Sequence, residues 1–494
     1  MIEETSTQDI DRRIQMAAEA FQFLKNTTIS ERAEFMNAVA DQIEALGEEL
    51  LTVTHAETSL PLARLTGEKA RTVGQWRSYA KAVAAGIYTE ARIDLARPEK
   101  QKGDLRKYNV GIGPVVVFGA SNFPYAFSTA GGDTASAIGA GCPVIIKAHP
   151  AHPQTSQIMA DAITTVIKAF GWPEGIFSHI TGTSYEIGTY LTQHPDIRAV
   201  AFTGSFTGGK ALFDIASRRK DPIPVFAEMG SINPVFAFQN LLETKAETLA
   251  REYITSLTLG VGQFCTNPGV FIALKGNPLD RFINALKEEI QEITPAKMLH
   301  EGIFESFEKN KSIAIEQPDV ELIASAETES SSGNATMIKT SAGNFVNNPV
   351  LSEEVFGPFG IVVECETEEE LMEIARQLKG QLTITIAATH EDVRDNSALI
   401  TVLKDKCGRL LFNGMPTGVE VVYGMQHGGP FPSTTDSRFT SVGPDAVKRF
   451  VRPISFQNWP DEFLPDELKN ENPLQISRMV DGIMNSESLK LQTT

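Results

Sequence analysis

Residues 115–124 read Val-Val-Val-Phe-Gly-Ala-Ser-Asn-Phe-Pro, an apolar run that ends in a glycine and a polar turn. A short β-branched run bounded in this way predicts a buried strand. Further apolar runs alternate with helical stretches along the chain that follows, with strands at 144–146, 176–180 and 199–202 and helices at 129–139 and 154–170. This alternation predicts repeated strand–helix–strand units and a parallel sheet, an architecture typical of nucleotide binding.

The chain on either side of this sheet predicts a helical region before it and a second α/β region after it. Apolar residues recur at helical spacing through residues 8–95, where Thr28 or Ser30 is the candidate cap of the second helix. A buried strand is predicted at residues 382–387, and the Ser- and Thr-rich residues 328–343 read as a surface loop. The second region therefore repeats the α/β pattern of the first.

The composition argues against several classes of function. The 494 residues carry a formal net charge of −18, which disfavours binding to the phosphates of nucleic acid. The chain contains no run of about 20 apolar residues that would span a bilayer, and its first residues lack the pattern of a secretory signal. Its four cysteines form no metal-ligand spacing, so we expect a cytoplasmic protein with reduced thiols and no metal site.

Three separated residues offer the groups that oxidation of an aldehyde through a thioester requires. Cys265 lies in the small-residue segment Gly262-Gln263-Phe264-Cys265 and is a candidate nucleophile, although many cysteines serve only as small buried residues. Glu228 follows an apolar run, and burial there would raise its pKa and suit it to activate water. The amide of Asn122 could stabilise an oxyanion together with the backbone N–H of Cys265.

Two further positions carry features of a site for a nucleotide cofactor. Lys147 ends one predicted strand, and Gly204 and Ser205 follow another at the start of a predicted helix. Glycine lets backbone amides approach a diphosphate, and a helix N-terminus favours anions. A Gly-x-Gly-x-x-Gly fingerprint is absent, which weakens the assignment of an ordinary Rossmann domain.

Taken together and in this order, these motifs resemble the NAD(P)-dependent aldehyde dehydrogenase superfamily over roughly residues 10–460. The resemblance implies that Cys265 is the nucleophile, Glu228 the general base and Asn122 the oxyanion donor. It also implies a set of residues that bind the cofactor, namely Lys147, Gly204, Ser205, Gly230, Glu354 and Phe356.

The resemblance further implies an α/β fold with two Rossmann-like domains, each built on a parallel sheet, and a small β element for bridging and oligomerisation. The implied segments are a nucleotide-binding domain at 1–95 and 111–229, a catalytic domain at 230–447, bridging strands at 96–110 and 448–460, and a C-terminal tail at 461–494. We predict a short helix at 475–483 in the tail. A homodimer or homotetramer is the implied assembly.

Two segments resemble one branch of this superfamily, which oxidises 2,5-dioxopentanoate (α-ketoglutarate semialdehyde) to 2-oxoglutarate. They are residues 131–136 and the segment His427-Gly428-Gly429-Pro430-Phe431-Pro432-Ser433-Thr434. Arg438 is a candidate anchor for the distal carboxylate and Phe264 a candidate substrate contact. The alternatives are a dehydrogenase of broader specificity for aliphatic or fatty aldehydes and, in a different class, an inactive structural homologue.

The cofactor preference depends on one departure from NAD-preferring relatives. Those relatives carry a glutamate three residues after the lysine, and here that position is Pro150. Losing the carboxylate removes repulsion against a 2′-phosphate, so NADP is favoured over NAD.

Overall fold

The computed structural model describes residues 3–327 and 331–489. The α-helices of this part of the chain are α1 (Thr7–Leu24), α2 (Ile29–Ala45), α3 (Glu48–Thr58), α4 (Leu62–Ala84), α5 (Gly132–Gly139), α6 (Pro153–Ala169), α7 (Tyr185–Gln193), α8 (Phe206–Ser217), α9 (Gln239–Thr258), α10 (Asn277–Gln291), α11 (Glu301–Ile315), α12 (Ala342–Asn347), α13 (Glu368–Gln377), α14 (His390–Asp395) and α15 (Ser397–Lys404).

The strands of the same residues are β1 (Arg92–Asp94), β2 (Leu105–Gly111), β3 (Val115–Phe118), β4 (Val144–Lys147), β5 (Phe177–Ile180), β6 (Ala199–Thr203), β7 (Val225–Glu228), β8 (Val235–Ala237), β9 (Val270–Leu274), β10 (Ala296–Lys297), β11 (Val320–Ser325), β12 (Ser332–Gly333), β13 (Thr336–Ser341), β14 (Phe359–Cys365), β15 (Gln381–Ala387), β16 (Cys407–Phe412), β17 (Val451–Gln457), β18 (Arg478–Val480) and β19 (Ile483–Asn485).

The first four helices confirm the helical reading of the N-terminal region. The side chain of Thr28 accepts a hydrogen bond from the backbone N–H of Glu31, and the Glu31 side chain accepts from the backbone of Thr28, which completes a capping box for α2. Thr28 is therefore the cap, and Ser30 is not. Helices α2 and α4 pack their apolar faces into the core that also covers one side of the first parallel sheet.

The first parallel sheet has the strand order β5-β4-β3-β6-β7, and all neighbouring strands run parallel. Its chain order reverses between β3 and β6, and ligands of such sheets bind outside the carboxyl ends of the strands near that reversal. Lys147 and Glu228 are the last residues of β4 and β7, so both lie at this carboxyl edge.

The second large sheet has the order β11-β13-β14-β9-β8-β15-β16, and it is parallel except for β11. The predicted strand at 382–387 is its β15, every residue of which is buried. The α/β fold with two parallel sheets is thus confirmed. The surface loop predicted at 328–343 is wrong where the structure describes it, because β13 places Met337 and Ile338 in the core; residues 328–330 lie outside the described part.

A third sheet joins distant parts of the chain in the order β17-β2-β1-β18-β19. Strand β2 pairs antiparallel with β17, from Leu105 opposite Gln457 to Gly111 opposite Val451. The helix predicted at 475–483 is wrong. The segment there forms β18, which pairs with β1, because the buried Arg478 donates to backbone carbonyls of the tail and Ile476 packs into the core.

Within residues 3–327 and 331–489, none of the helices has the length and apolar character required to cross a membrane.

Candidate active site

Cys265 lies in the loop that leads into β9, at the amino edge of the second sheet. Hydrogen bonds from Asn233 and a close approach to the backbone of Gly357 hold this loop in place. The side-chain amide of Asn233 donates to the backbone carbonyl of Cys265 at 2.9 Å and to that of Asn267 at 2.9 Å. Gly262 has a φ of +64°, and a Cβ atom there would approach the backbone carbon of Gly357 to 2.3 Å, so only glycine fits.

Three buried or partly buried side chains meet around the Cys265 sulfur. The Nε2 atom of His427 lies 3.5 Å from Sγ of Cys265 and 2.9 Å from Oε1 of Glu228. The other carboxylate oxygen of Glu228 accepts a hydrogen bond from Ser441 Oγ at 2.6 Å. The donor atoms of Cys265, Glu228 and His427 all lie within 4.8 Å of one another. We refer to Cys265, His427, Glu228 and Ser441 as the thiol cluster.

Two segments of chain bring Glu228 and His427 together. Glu228 ends β7, and the segment after His427 runs alongside that strand, where Thr434 forms an isolated antiparallel bridge with Glu228. The backbone N–H of Met229 donates to the carbonyl of Ser433 at 2.8 Å. These contacts hold the segment 427–435 against the end of β7, which places the imidazole beside the carboxylate.

The surroundings of Cys265 in the thiol cluster favour the neutral thiol over the thiolate. Burial raises the pKa of Cys265 well above its ordinary value, and the adjacent Glu228 raises it further. Burial also acts to raise the pKa of Glu228, but the interactions with His427, Ser441 and Cys265 outweigh burial and lower it. The predicted rise in the pKa of Glu228 is therefore wrong, because the sequence did not reveal that His427 faces it.

Asn122 lies on the opposite side of the Cys265 loop and is almost completely buried. Its side-chain Nδ2 donates to the carbonyl of Gln263 at 3.1 Å, two residues before the thiol. Its backbone carbonyl accepts from Arg64 Nη2 at 2.8 Å, and the Arg64 guanidinium stacks on the rings of Phe123 and Phe264. The amide of Asn122 is thus anchored beside the thiol loop, where one of its two N–H groups remains for a ligand.

The remaining predicted residues divide between two neighbouring surfaces. Gly204 and Ser205 are exposed at the start of α8, close to the strand end that carries Lys147, and we refer to these three residues as the cofactor edge. Glu354 and Phe356 line a cavity together with Phe264. A Cβ atom at Gly230 would approach Oε2 of Glu354 to 2.5 Å, which explains the glycine.

Burial raises the pKa of Glu354 to about 8, although the backbone N–H of Ser231 acts in the opposite direction. Glu354 is therefore largely a neutral acid at pH 7, able to donate as well as accept a hydrogen bond.

The site combines a partly buried thiol with an imidazole, a carboxylate and an amide, and it lies beside a carboxyl edge suited to a dinucleotide. The comparison of the chain with known families agrees with this arrangement. The model of the aldehyde dehydrogenase family matches residues 1–453. The chain belongs to this family. It is accordingly an oxidoreductase that acts on aldehydes with NAD(P).

Curated relatives extend over nearly the whole chain. It is 46% identical over 480 residues to alpha-ketoglutaric semialdehyde dehydrogenase 2 of Azospirillum brasilense, which covers 96% of this chain and 91% of the relative. It is 43% identical over 490 residues to alpha-ketoglutaric semialdehyde dehydrogenase of Acinetobacter baylyi, with 98% and 93% covered. Among solved structures, a betaine aldehyde dehydrogenase double mutant from Staphylococcus aureus in complex with NAD+ has the same fold, with 19% identity, a TM-score of 0.79 and 93% and 90% covered.

The cofactor edge fits NAD(P), the cofactor of the family. The N-terminus of α8 is exposed, and Ser205 already caps it by accepting from the backbone N–H of Gly208 at 3.2 Å. A Cβ atom at Gly204 would approach the Phe202 ring to 2.7 Å, and the Gly204 N–H donates to the carbonyl of Glu228 at 3.1 Å, so the N–H groups at the start of α8 are the ones that face a diphosphate. Burial lowers the pKa of Lys147, whose side chain lies at the same edge.

The structure differs from the sequence analysis at two site residues. Arg438 is 78% exposed and forms a forked ion pair with Asp436, so it does not face the thiol cluster. Its position downstream of His427 suggested a substrate contact, but the chain turns outward there. In the sequence, His427 stands out only as part of the segment that resembles one branch of the superfamily. Its partner Cys265 lies 162 residues earlier in the chain, so the one sequence signal for this contact is a histidine followed by two glycines.

Proposed function

We propose that the protein oxidises 2,5-dioxopentanoate to 2-oxoglutarate with NAD(P), and that Cys265, Glu228 and Asn122 carry the chemistry. Two relatives above 40% identity are named for this aldehyde. The observation that carries the proposal is the thiol cluster, in which Cys265 Sγ lies 3.5 Å from an imidazole nitrogen that itself lies 2.9 Å from a carboxylate. Such an arrangement suits nucleophilic catalysis.

In the first step Cys265 attacks the aldehyde carbon. The thiol proton passes to Nε2 of His427, and the ionised Glu228 stabilises the resulting imidazolium because it lies 2.9 Å away. The oxyanion of the thiohemiacetal accepts hydrogen bonds from Asn122 Nδ2 and the backbone N–H of Cys265. Loss of one such donor costs about 3 kcal/mol in the transition state.

The second half of the reaction releases the acid. The carbon of the thiohemiacetal would lose a hydride to bound NAD(P), which would leave a thioester on Cys265. Glu228 then takes a proton from the water that attacks the thioester carbon, and its lowered pKa keeps it ionised at neutral pH for that purpose. The Cys265 thiolate leaves as the acid is released, and it recovers its proton from His427.

The residues at the cofactor are part of the same proposal. Lys147 holds the adenosine ribose, Gly204 and Ser205 bind the diphosphate, and Gly230, Glu354 and Phe356 surround the nicotinamide end. The segments 1–95 and 111–229 then form the nucleotide-binding domain, 230–447 the catalytic domain and 96–110 with 448–460 the bridging strands. A homodimer or homotetramer, and a cytoplasmic location, stay predictions.

We propose a preference for NADP over NAD. Pro150 leaves no carboxylate three residues after Lys147. Glu4 is the carboxylate whose charge acts on Lys147, but Thr183 and Ser184 already hold it through backbone hydrogen bonds of 2.8 Å each. A higher kcat/KM with NADP than with NAD, and a larger ratio in Glu4→Gln, are expected.

The direct test is cofactor reduction by the purified protein with 2,5-dioxopentanoate, with Cys265→Ala as the blank. A kcat/KM above that for pentanal supports the proposal, and a lower one rejects the substrate but keeps the chemistry. Glu228→Gln adds a test of the base: we expect a burst of one reduced cofactor per active site followed by slow turnover, because hydrolysis is impaired. Full steady turnover would remove Glu228 from this role.

One observation favours oxidation of apolar aldehydes as the second candidate. The rings of Phe123 and Phe264 lie 5.3 Å apart in an edge-to-face pair, and Phe123 makes the same kind of contact with Phe127. This aromatic wall suits an alkyl chain. A kcat/KM that rises steadily from pentanal to decanal would favour this candidate.

A further inference from the structure

Arg71 is the feature near the thiol that the mechanism above leaves unused. It lies on α4, and its guanidinium stacks on the ring of Phe127 at 5.1 Å. The Phe127 ring lies 6.2 Å from the imidazole ring of His427, which contacts Cys265. Arg71 is thus separated from the nucleophile by two side chains, those of Phe127 and His427.

The guanidinium of Arg71 has hydrogen-bonding capacity that the described residues do not use. Its Nη1 atom is buried and lacks a hydrogen-bond partner there. Burial lowers the pKa of Arg71. The charges of Cys265 and Glu228 are among those that act to raise this pKa, so the guanidinium is close enough to the reacting groups to interact with their charges. A buried cation with an open N–H group is costly unless a ligand completes it.

The other arginines near the site are already engaged. Arg64 donates to the carbonyl of Asn122 and lies 3.9 Å from Glu68. Arg409 donates from both terminal nitrogens to backbone carbonyls, at 3.0 Å for Gly418 and to Pro416 at 2.6 Å. Arg438 is exposed and paired with Asp436. Arg64 also has a buried Nη1 without a partner, but its other terminal nitrogen is hydrogen-bonded, whereas Arg71 forms no side-chain hydrogen bond or ion pair with the described residues. Arg71 is therefore the arginine best placed to receive an anion beside the thiol.

We infer that Arg71 binds the carboxylate of the substrate and makes the site selective for short aldehydes that carry an acid group. The inference rests on the proposed function, which puts the aldehyde carbon at Cys265. In a five-carbon aldehyde acid the carboxylate lies roughly 5 Å from the aldehyde carbon, by bond lengths of about 1.5 Å. The carboxylate must then be bound inside the cavity of the thiol, and a surface residue such as Arg438 cannot serve.

The first experiment compares two substrates of equal length in matched variants. Arg71→Gln removes the charge, Arg71→Lys keeps it without the fork, and Arg438→Gln is the control. We expect Arg71→Gln to raise KM for 2,5-dioxopentanoate about 10- to 100-fold, the range for a hydrogen bond to a charged group. KM for pentanal should change less than about threefold, since it lacks the acid. Arg71→Lys should recover part of the loss, and Arg438→Gln should resemble wild type.

The second experiment does not depend on turnover. The product-like anion 2-oxoglutarate should slow the alkylation of Cys265 by iodoacetamide in wild type, and this protection should require about 10-fold more anion in Arg71→Gln. Equal losses on both substrates, or unchanged protection, would overturn the role of Arg71. Failure of the proposed function would give a different result, because the wild-type protein itself would not oxidise 2,5-dioxopentanoate. The protection experiment would still show whether Arg71 binds the anion.

Discussion

The thiol cluster and the cofactor edge lie side by side but are held in different ways. In the thiol cluster the side chains of Glu228 and His427 are 3% and 1% exposed and contact each other and Ser441. At the cofactor edge Gly204 and Ser205 are exposed, and local backbone geometry sets their position. Contacts between distant parts of the chain therefore position the reacting groups without a ligand. At the cofactor edge, by contrast, hydrogen-bonding groups of the backbone are open to a ligand.

Replacing the nucleophile tests this separation most strongly. Cys265→Ala should lower kcat by more than about 1000-fold, because no other group can form the thioester. Binding of reduced cofactor, followed by its fluorescence, should change less than about twofold. Cys407→Ala, in the half-buried strand β16, is the matched control and should keep normal activity. A large loss of cofactor affinity in Cys265→Ala would show that the two regions are not independent.

Removing the imidazole probes the interior of the thiol cluster. His427→Gln should lower kcat on the order of 100-fold, the usual contribution of a positioned acid–base group. Because burial and Glu228 already raise the pKa of Cys265, loss of the proton acceptor should slow iodoacetamide alkylation at pH 7 and leave the rate still rising toward high pH.

The control for this variant is His194→Gln, whose histidine pairs with Asp11 away from the cluster. An alkylation profile in His427→Gln that matches wild type would refute the role of His427 as proton acceptor.

At the cofactor edge the expected effects are smaller and confined to binding. Lys147→Ala should raise KM for NADP about 10-fold, as loss of one charge-assisted hydrogen bond predicts, with kcat within about twofold of wild type. Lys168→Ala, at the last turn of α6, serves as the control. If kcat fell as much as affinity in Lys147→Ala, the lysine would be coupled to the thiol cluster and the contrast between the regions would fail.

The smallest expected effect is a pH dependence of stability at Glu354, between the two regions. Its pKa is about 8 in the folded protein and 4.5 ordinarily, so between these values the folded state keeps a proton that the unfolded state releases. Stability from this group is present below about pH 4.5 and is lost as pH rises through about 8.

The difference between these two values corresponds to about 5 kcal/mol, and because the Glu354 side chain is only partly shielded from solvent we expect a loss on the order of 2 kcal/mol across this window, which Glu354→Gln should remove. Urea unfolding without cofactor at pH 5 and pH 9 measures the difference. Identical pH profiles for the two proteins would mean that Glu354 is ionised in the folded state.

Local patterns in the sequence were sufficient for much of the fold. Helical periodicity and the Thr28 cap located the N-terminal helices, and the β-branched runs located β3 to β6. They failed in the tail, where residues 475–483 read as a helix but form strand β18 against β1. A short segment with weak periodicity takes its structure from its neighbours, and here a strand nearly 400 residues earlier supplies them.

The family, the order of the motifs and the strand ends that carry Lys147 and Glu228 could be read from the sequence, because strand ends and helix starts are local features. The sequence could not determine what surrounds the thiol. The carboxyl edge of the first sheet carries Glu228, whereas Cys265 enters from the amino edge of the second, and His427 arrives from a segment 162 residues further on. Only tertiary structure brings these groups within hydrogen-bonding distance. It also leaves Arg438 exposed at the surface and buries a terminal nitrogen of Arg71. The physical reason is that pKa values and ligand contacts depend on neighbours in space, which no local pattern of residues specifies.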